Sequence, residues 1–283
     1  MNHVNIEEPG ILKINSKEIE MSMQISLHGL SFCLLHLPEK KIVALNHLPN
    51  NTGKAIEDFF VEQWNSNRLI NKDYASFKFI YPYKRLTLVP EALFNENDAE
   101  LVFNYNFSKL DSEILKSVKM SKSESFAVFA IPINIYNIVN SQIDGKWMPH
   151  IMPFAEANIK NFRLDEDIKA SKMYINYNDD FIDILLVDET GIKMYNNFIV
   201  KSANDIVYFI LNIFDKLKLN PEKVNIAISG NINPDNYGIV TLQKFIRNVY
   251  FVARRQDLKY TYLMQDIQPH VFSNLINLAA CEL

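Results

Sequence analysis

The sequence predicts an α/β protein built from two similar halves, on three observations. Short apolar or alternating runs come in threes at two places in the chain, each trio is followed by a stretch with helical spacing, and the two sets keep constant register 150 residues apart (25 to 175). A meander that feeds a helix, twice over, is the pattern of paired mixed sheets.

Residues 1–20 are mixed polar and charged and are expected to form a polar N-terminal arm. Gln24-Ile25-Ser26-Leu27, residues 30–37 and residues 41–45 read as three strands, separated by His28-Gly29 and Pro38-Glu39-Lys40. After Thr52-Gly53-Lys54 the spacing becomes helical, placing Ile56, Phe59, Phe60 and Trp64 on one face. Residues 86–89 are expected as the next strand, followed by Pro90, which can open a helix at its first position. Residues 126–131 read as a strand and 134–143 as a helix, while 97–124 have no counterpart in the second half and read as an insertion.

In the second half, 173–177, 181–187 and 192–199 are the strands and 202–217 the helix. Ser202 with Asp205 three residues on has the spacing of a capping box, and Ile206, Phe209, Ile210, Ile213 and Leu217 form the apolar face. Leu34-Leu35 falls on Ile184-Leu185, Ile42 on Ile192 and Phe59 on Phe209 without a gap, which duplication explains better than chance. Residues 224–228 form a strand followed by Ser229-Gly230-Asn231; then come a helix over 241–253, a strand over 260–264 and a closing helix over 270–281. Pro149, Pro153 and Asp165-Glu166-Asp167 break the pattern within 145–170, so the domains are expected at 21–148 and 149–283.

Composition narrows the function. The 283 residues are 48% hydrophobic and 22% charged, enough for real cores, and the net charge of −4 gives no electrostatic reason to expect nucleic acid or an anionic membrane as partner. Cys33 and Cys281 are too few for a disulfide framework and point to a reducing, cytoplasmic setting. No stretch reaches the ~20 apolar residues that span a bilayer, so no direct membrane insertion is expected. Glycine is scarce, with seven residues, which leaves little for loops that cradle phosphates.

Three antiparallel strands, a crossover helix and then alternating strands and helices form the ribonuclease H-like unit, and two in tandem with mixed five-stranded sheets resemble the actin-like ATPase superfamily. The segment Leu86-Thr87-Leu88-Val89-Pro90-Glu91-Ala92-Leu93-Phe94-Asn95 is similar to the strand-to-helix segment of its sugar-kinase, heat-shock and actin members. More closely, Ser26-Leu27-His28-Gly29-Leu30-Ser31-Phe32, the Leu88-Val89-Pro90-Glu91 segment and the ending Asn277-Leu278-Ala279-Ala280-Cys281-Glu282 resemble an uncharacterised bacterial family of actin-like fold. Its distant relatives include actin-like proteins of pilus assembly and type II secretion, some of which act as adaptors and bind nucleotide weakly or not at all.

The resemblance implies, for catalysis, a Mg²⁺-associated carboxylate on the first strand of each half and glycine-rich hairpins whose N–H groups approach phosphates. At the acid positions stand Ser26 and Asn176. The first hairpin keeps Gly29; the second is Asn178-Asp179-Asp180, with no glycine and two carboxylates that would repel a triphosphate unless a metal bridged them. The adenosine segment keeps Gly230 alone. If nucleotide is bound, Ser26, Gly29, Asn176, Asn178 and Gly230 are the residues to hold it; turn and strand-end chemistry also accounts for each of them.

Other chemistry is thinner. A ribonuclease H-type two-metal site would need an acid on a first strand, yet only Glu57, Asp58 and Asp205, on the helices, are offered. Thr52-Gly53-Lys54 is no phosphate loop, since Leu48 and Ala55 stand where glycine and Ser or Thr are required. His28, His36 and His47 lack metal-ligand spacing, neither cysteine has a basic neighbour pattern, and Arg254-Arg255 reads as the cationic end of a helix. The stretch from Trp147 to Phe154 is expected to pack between the halves, with a partner-facing patch as the alternative. The expectation is therefore a scaffold or adaptor that has lost ATP hydrolysis, with a protein partner and no cofactor. The alternative is a nucleotide-binding protein or phosphotransferase that holds Mg-ATP through a rearranged site such as Asp179 or Asp180.

Overall fold

A computed structural model describes residues 3–164 and 171–281, so the acidic run Asp165-Glu166-Asp167 and Glu282 lie outside the described residues. The chain divides by packing into two compact units. The first holds the chain to Pro153 together with Arg255–Ile267 and the segment from Leu275 on; the second holds Phe154–Arg254 and Gln268–Asn274. The C-terminal part of the second half thus returns in two places to the first unit, which a division by sequence position at 149 does not convey.

The first unit opens with β1 (Val4–Glu7), β2 (Ile19–Ser26), β3 (Gly29–His36) and β4 (Lys41–Pro49). Within the arm expected over 1–20, the described part is not free: β1 adds antiparallel to β4, and Ile6 and Ile11 are buried. Strand β2 alternates, with fully buried Met21, Met23 and Ile25 on one face and Glu20, Ser22 and Gln24 on the other. Helix α1 (Ile56–Ser66) buries Ile56, Phe59, Phe60 and Trp64, the face its spacing predicts.

The fourth strand is β5 (Ser76–Ile80), parallel to β2, and not the segment at 86–89. Lys78 disguises it, because a lysine in the middle of a strand reads as linker. Here its ammonium is buried, 2.7 Å from Glu20 Oε1, and donates to Cys281 O at 2.8 Å. The expected strand is instead β6 (Leu86–Pro90), which joins a separate sheet. After α2 (Ala99–Asn104) come β7 (Glu113–Met120) and β8 (Ser125–Pro132), and the three strands run β6-β8-β7. This small sheet starts before and ends after 97–124. Phe103 of α2 packs with Val89, Val128 and Ala130 beneath it, and Arg85 lies over the rings of Phe103 and Phe107 while pairing with Glu113 at 2.6 Å.

Helix α3 (Ile133–Gln142) leads to β9 (Lys146–Met148), parallel to β5. Trp147 is core of this unit: its ring is 5.3 Å from Phe79 and 5.8 Å from Tyr136, and Nε1 donates to Asn140 Oδ1 at 3.1 Å. Trp147 and Phe154 are 6% and 2% exposed, so neither ring is offered to a partner. Pro153 sits in the first turn of α4 (Ile151–Leu164), where its missing N–H is not needed.

The second unit contains β10 (Lys172–Tyr177), β11 (Phe181–Asp188), β12 (Gly191–Ile199), α5 (Ala203–Lys216), β13 (Asn225–Gly230), α6 (Tyr237–Phe245) and β14 (Asn248–Phe251). The strand order is β12-β11-β10-β13-β14, antiparallel across the meander and parallel from β10 onward. Asp205 Oδ2 accepts from Ser202 N and Lys201 N, both at 2.8 Å, which caps α5; Ile206, Ile210, Ile213 and Phe214 are its buried residues, with Leu217 exposed. The helix expected over 241–253 ends at Phe245, and the aromatic and β-branched Val249, Tyr250 and Phe251 form the edge strand instead. Two elements close the chain: β15 (Lys259–Tyr260), parallel to β4 and followed by a 3₁₀ turn where 260–264 reads as strand, and α7 (Ser273–Ala279), shorter than 270–281.

The first sheet thus runs β1-β4-β3-β2-β5-β9, with β15 also on β4, and from β4 to β9 repeats the order of the second. Strands β4 and β12 are nine residues each and lie 150 apart (41 to 191). Both carry an irregularity at the same place, opposite Leu34/Leu35 and Leu186/Val187. The first hairpins, however, are offset by 152 (26 to 178): Ser26 faces Gly29, and Asn178 N bonds Phe181 O. Two extra residues in the β3–β4 turn restore the offset of 150, since His36 faces Lys41 whereas Asp188 faces Gly191.

Candidate functional site

The hairpin register decides which residues correspond. Gln24, not Ser26, stands where Asn176 stands, and Ser26 corresponds to Asn178. Ser26 Oγ donates across its own turn to Gly29 O at 3.3 Å.

In the second unit one row of register partners is polar across four strands: Ser229 on β13, Asn176 on β10, Asp183 on β11 and Asn197 on β12. Register partners project on one face, and here side-chain bonds link Ser229, Asn176 and Asp183, the last two through Asn178. Ser229 Oγ lies 3.0 Å from Asn176 Oδ1 and 3.2 Å from Ile175 O, which share its proton. Asn176 Nδ2 donates to Asn178 Oδ1 at 3.3 Å, and Asn178 Nδ2 to Asp183 Oδ2 at 2.8 Å. From the other side Tyr195 OH donates to Asp183 Oδ1 at 2.8 Å. Burial first, then the adjoining Asp183 carboxylate, push the Tyr195 phenol well up, so it stays a donor. Asn178 and Tyr195 thus both donate to the carboxylate of Asp183, a residue that is 1% exposed. An aspartate at 176 would face Asp183 directly across the strands, a like-charge pair that Asn176 avoids.

The first unit carries the matching row: Gln24 on β2, Ser31 on β3 and His47 on β4, with Ile80 of β5 in place of Ser229. Ser31 Oγ and His47 Nδ1 are 2.8 Å apart, and both residues are buried. Ser31, Asp183 and Tyr195 were not legible as site residues. The available signal was a polar residue at the same strand-interior place in both halves.

The two glycines at nucleotide-loop positions are required by the chain's own backbone. A Cβ on Gly29, at φ +139°, would lie 2.1 Å from Leu48 O; one on Gly230, at φ +97°, would lie 2.1 Å from Tyr177 O. The loop after β13 is likewise committed. Gly230 N donates to His270 O at 2.8 Å, Asn231 N to Tyr177 O at 3.0 Å, and His270 Nε2 to Ile232 O at 2.9 Å. Burial holds the His270 imidazole below its ordinary value, against that bond to Ile232, which favours the charged form. Asp179, on the exposed tip, accepts from Asn231 Nδ2 at 2.9 Å.

Neither first strand places a carboxylate at the hairpin, and among the described residues no three His, Cys, Asp or Glu side chains gather as a metal site. The residues present do not reproduce a Mg-ATP ligand set of the actin-like kind. Elsewhere, burial pushes the Cys33 thiol far up, as suits an inert core cysteine. Lys54 pairs with Glu62 and Arg255 with Asp257. No described helix is long and apolar enough to cross a membrane.

The architecture is that of the actin-like ATPase fold. It is shared with a protein of unknown function from Bacteroides thetaiotaomicron, described as having that fold: TM-score 0.81, 22% identity, 94% of this chain and 97% of the other covered. The structure of a PilM–PilN type IV pilus biogenesis complex matches at TM-score 0.56 and 11% identity, over 94% of this chain and 98% of the other. No curated protein matched the sequence. The chain belongs to the family described as "Protein of unknown function (DUF3822)", whose model matches residues 11–249.

Proposed function

We propose that this protein is a scaffold or adaptor that keeps the actin-like fold without ATP hydrolysis. The observation that carries the reading is the closed bond network of the second hairpin. Asn176 and Asn178, at positions the fold's ATPases give to metal and phosphate, are spent within the protein: Asn176 bonds Ser229 and Asn178, and Asn178 bonds Asp183. The crowding at Gly29 and Gly230 supports it, because both glycines serve the protein's own backbone. The likeness to the PilM–PilN complex supports a protein partner, and the matched irregularities of β4 and β12 support an origin of the two units by duplication.

Thermal unfolding with Mg-ATP tests this. At ~1 mM ligand, a site with a dissociation constant of ~10 µM would add about 2.7 kcal/mol, which moves the melting temperature of a chain this size by several degrees. The expected result is no shift. A clear, saturable shift that Asn176→Ala removes, in a variant that still unfolds cooperatively, would establish the nucleotide-binding alternative.

A further inference from the structure

The net charge of −4, which by itself gives an anionic membrane no hold on the chain, is unevenly distributed. Strands β13 and β14 run parallel and start level, Asn225 facing Asn248, so the segments that enter them from α5 and α6 lie at the same end of the second sheet. Arg247 N donates to Pro221 O at 3.1 Å and ties the two segments together. Residues 215–223 and 244–247 carry Lys216, Lys218, Lys223, Lys244 and Arg247 against Asp215 and Glu222, five cations to two carboxylates.

The helix dipole explains only part of this. A cation in the last turn complements the carbonyl end of a helix, which accounts for Lys216 and Lys244. Lys218, Lys223 and Arg247 lie beyond those turns. Lys218 has φ +53°, in the left-handed position after a helix that glycine or asparagine ordinarily fills, and Leu219 N closes the turn on Phe214 O at 2.9 Å. Lys218 reaches Asp215 at 3.2 Å and Arg247 reaches Glu222 at 3.5 Å, while among the described residues no carboxylate comes within ion-pair distance of Lys216, Lys223 or Lys244. Two large apolar side chains stand among these cations: Leu217 is 46% exposed and Phe245 55%. The far side of the same end is different, since at the β11–β12 turn Lys193 pairs with Asp188 at 3.2 Å and Glu189 stands beside them.

We propose that the C-terminal ends of α5 and α6, with the segments that follow them, form a docking surface for an anionic lipid bilayer. Charge complementarity selects this occupant: the cations meet the anionic headgroups, and Leu217 and Phe245 enter the boundary between headgroups and acyl chains. Nucleic acid would use the cations and gain little from a leucine; a bilayer uses both. The contact is peripheral, as no described helix is long and apolar enough to cross. Each cation near such a surface contributes about fivefold, and with only two apolar anchors the binding is weak, reversible and sensitive to salt. This inference stands apart from the adaptor reading and needs no nucleotide.

Sedimentation of the full chain with vesicles of phosphatidylcholine, with and without about 30% phosphatidylglycerol, tests it. Binding is expected to the anionic vesicles alone, and to fade as salt rises from ~0.1 to ~1 M and the screening length falls from ~10 to ~3 Å. Lys223→Glu and Lys244→Glu each change the charge at the surface by two and should weaken binding by about tenfold or more. Phe245→Ser should weaken it several-fold and leave its salt dependence in place. The three side chains are exposed, so the variants should melt like the parent chain, and Lys13→Glu, exposed on the first unit, should bind like it. A parent chain that stays in the supernatant with anionic vesicles or binds neutral ones equally, or binding that Lys223→Glu and Lys244→Glu both leave unchanged, overturns the proposal. Capture by immobilised poly-glutamate without vesicle binding overturns it too and gives the surface to an acidic protein.

Discussion

In the first unit the buried carboxylate of Glu20 on β2 is neutralised by the Lys78 ammonium on β5, whereas in the second the buried carboxylate of Asp183 on β11 is held by neutral donors, Asn178 and Tyr195. An ion pair frees the surrounding polar residues; a carboxylate held by dipoles commits them. The second solution ties up position 176 and the hairpin position 178, where this fold's ATPases do their chemistry. The electrostatics of the sheet and the state of the hairpin are therefore one problem.

The largest expected effect separates the two carboxylates. Lys78→Met leaves Glu20 buried without its cation and removes the donor to Cys281 O, and should cost about 3–5 kcal/mol in urea unfolding. Replacing Glu20 by Leu in the same chain should recover most of it; no recovery would mean that Lys78 acts through packing alone. Asp183→Ala deserts two neutral donors rather than an ion, so the loss should be smaller, about 2–3 kcal/mol. A cost above that of Lys78→Met would reverse the comparison. Ser31→Ala, in the matching row of the first unit, leaves only His47 Nδ1 short of its bond and should cost about 1 kcal/mol.

The smallest effect is one of pH. Burial keeps the folded-state value of His270 below its ordinary 6.5. Above that ordinary value both states are neutral and stability does not depend on this group. As pH falls through it the unfolded chain takes up the proton first, so stability declines until the lower folded-state value is passed. His270→Gln should flatten that decline in unfolding measured over acid pH, and an unchanged slope would remove His270 as its source.

Much of the fold was legible from periodicity. The buried face of α1, the cap of α5 and both meanders follow from spacing, because burial on one face imposes it. What escaped has physical causes. The hairpins are slipped by two residues relative to a gapless alignment, and a two-residue slip leaves every side chain on its original face, so hydrophobicity cannot report it. Strand β5 was hidden by Lys78, whose partner Glu20 is 58 positions away and invisible to local pattern (20 to 78). Asp183 sits within Phe-Ile-Asp-Ile-Leu-Leu-Val and reads as a solvent-facing position, since nothing local announces that Tyr195 and Asn178 will close on it. That no acid stands at 24, 26 or 176 was visible in advance, and the network around Asn176 was not.

Calorimetric titration of the full chain with Mg-ATP reads the central claim most directly. The account predicts no saturable heat for the parent chain at ligand concentrations up to ~1 mM, where even a site of modest affinity should fill. Saturable binding that Asn176→Ala abolishes, in a variant that still melts cooperatively, would contradict it and return the hairpins to nucleotide.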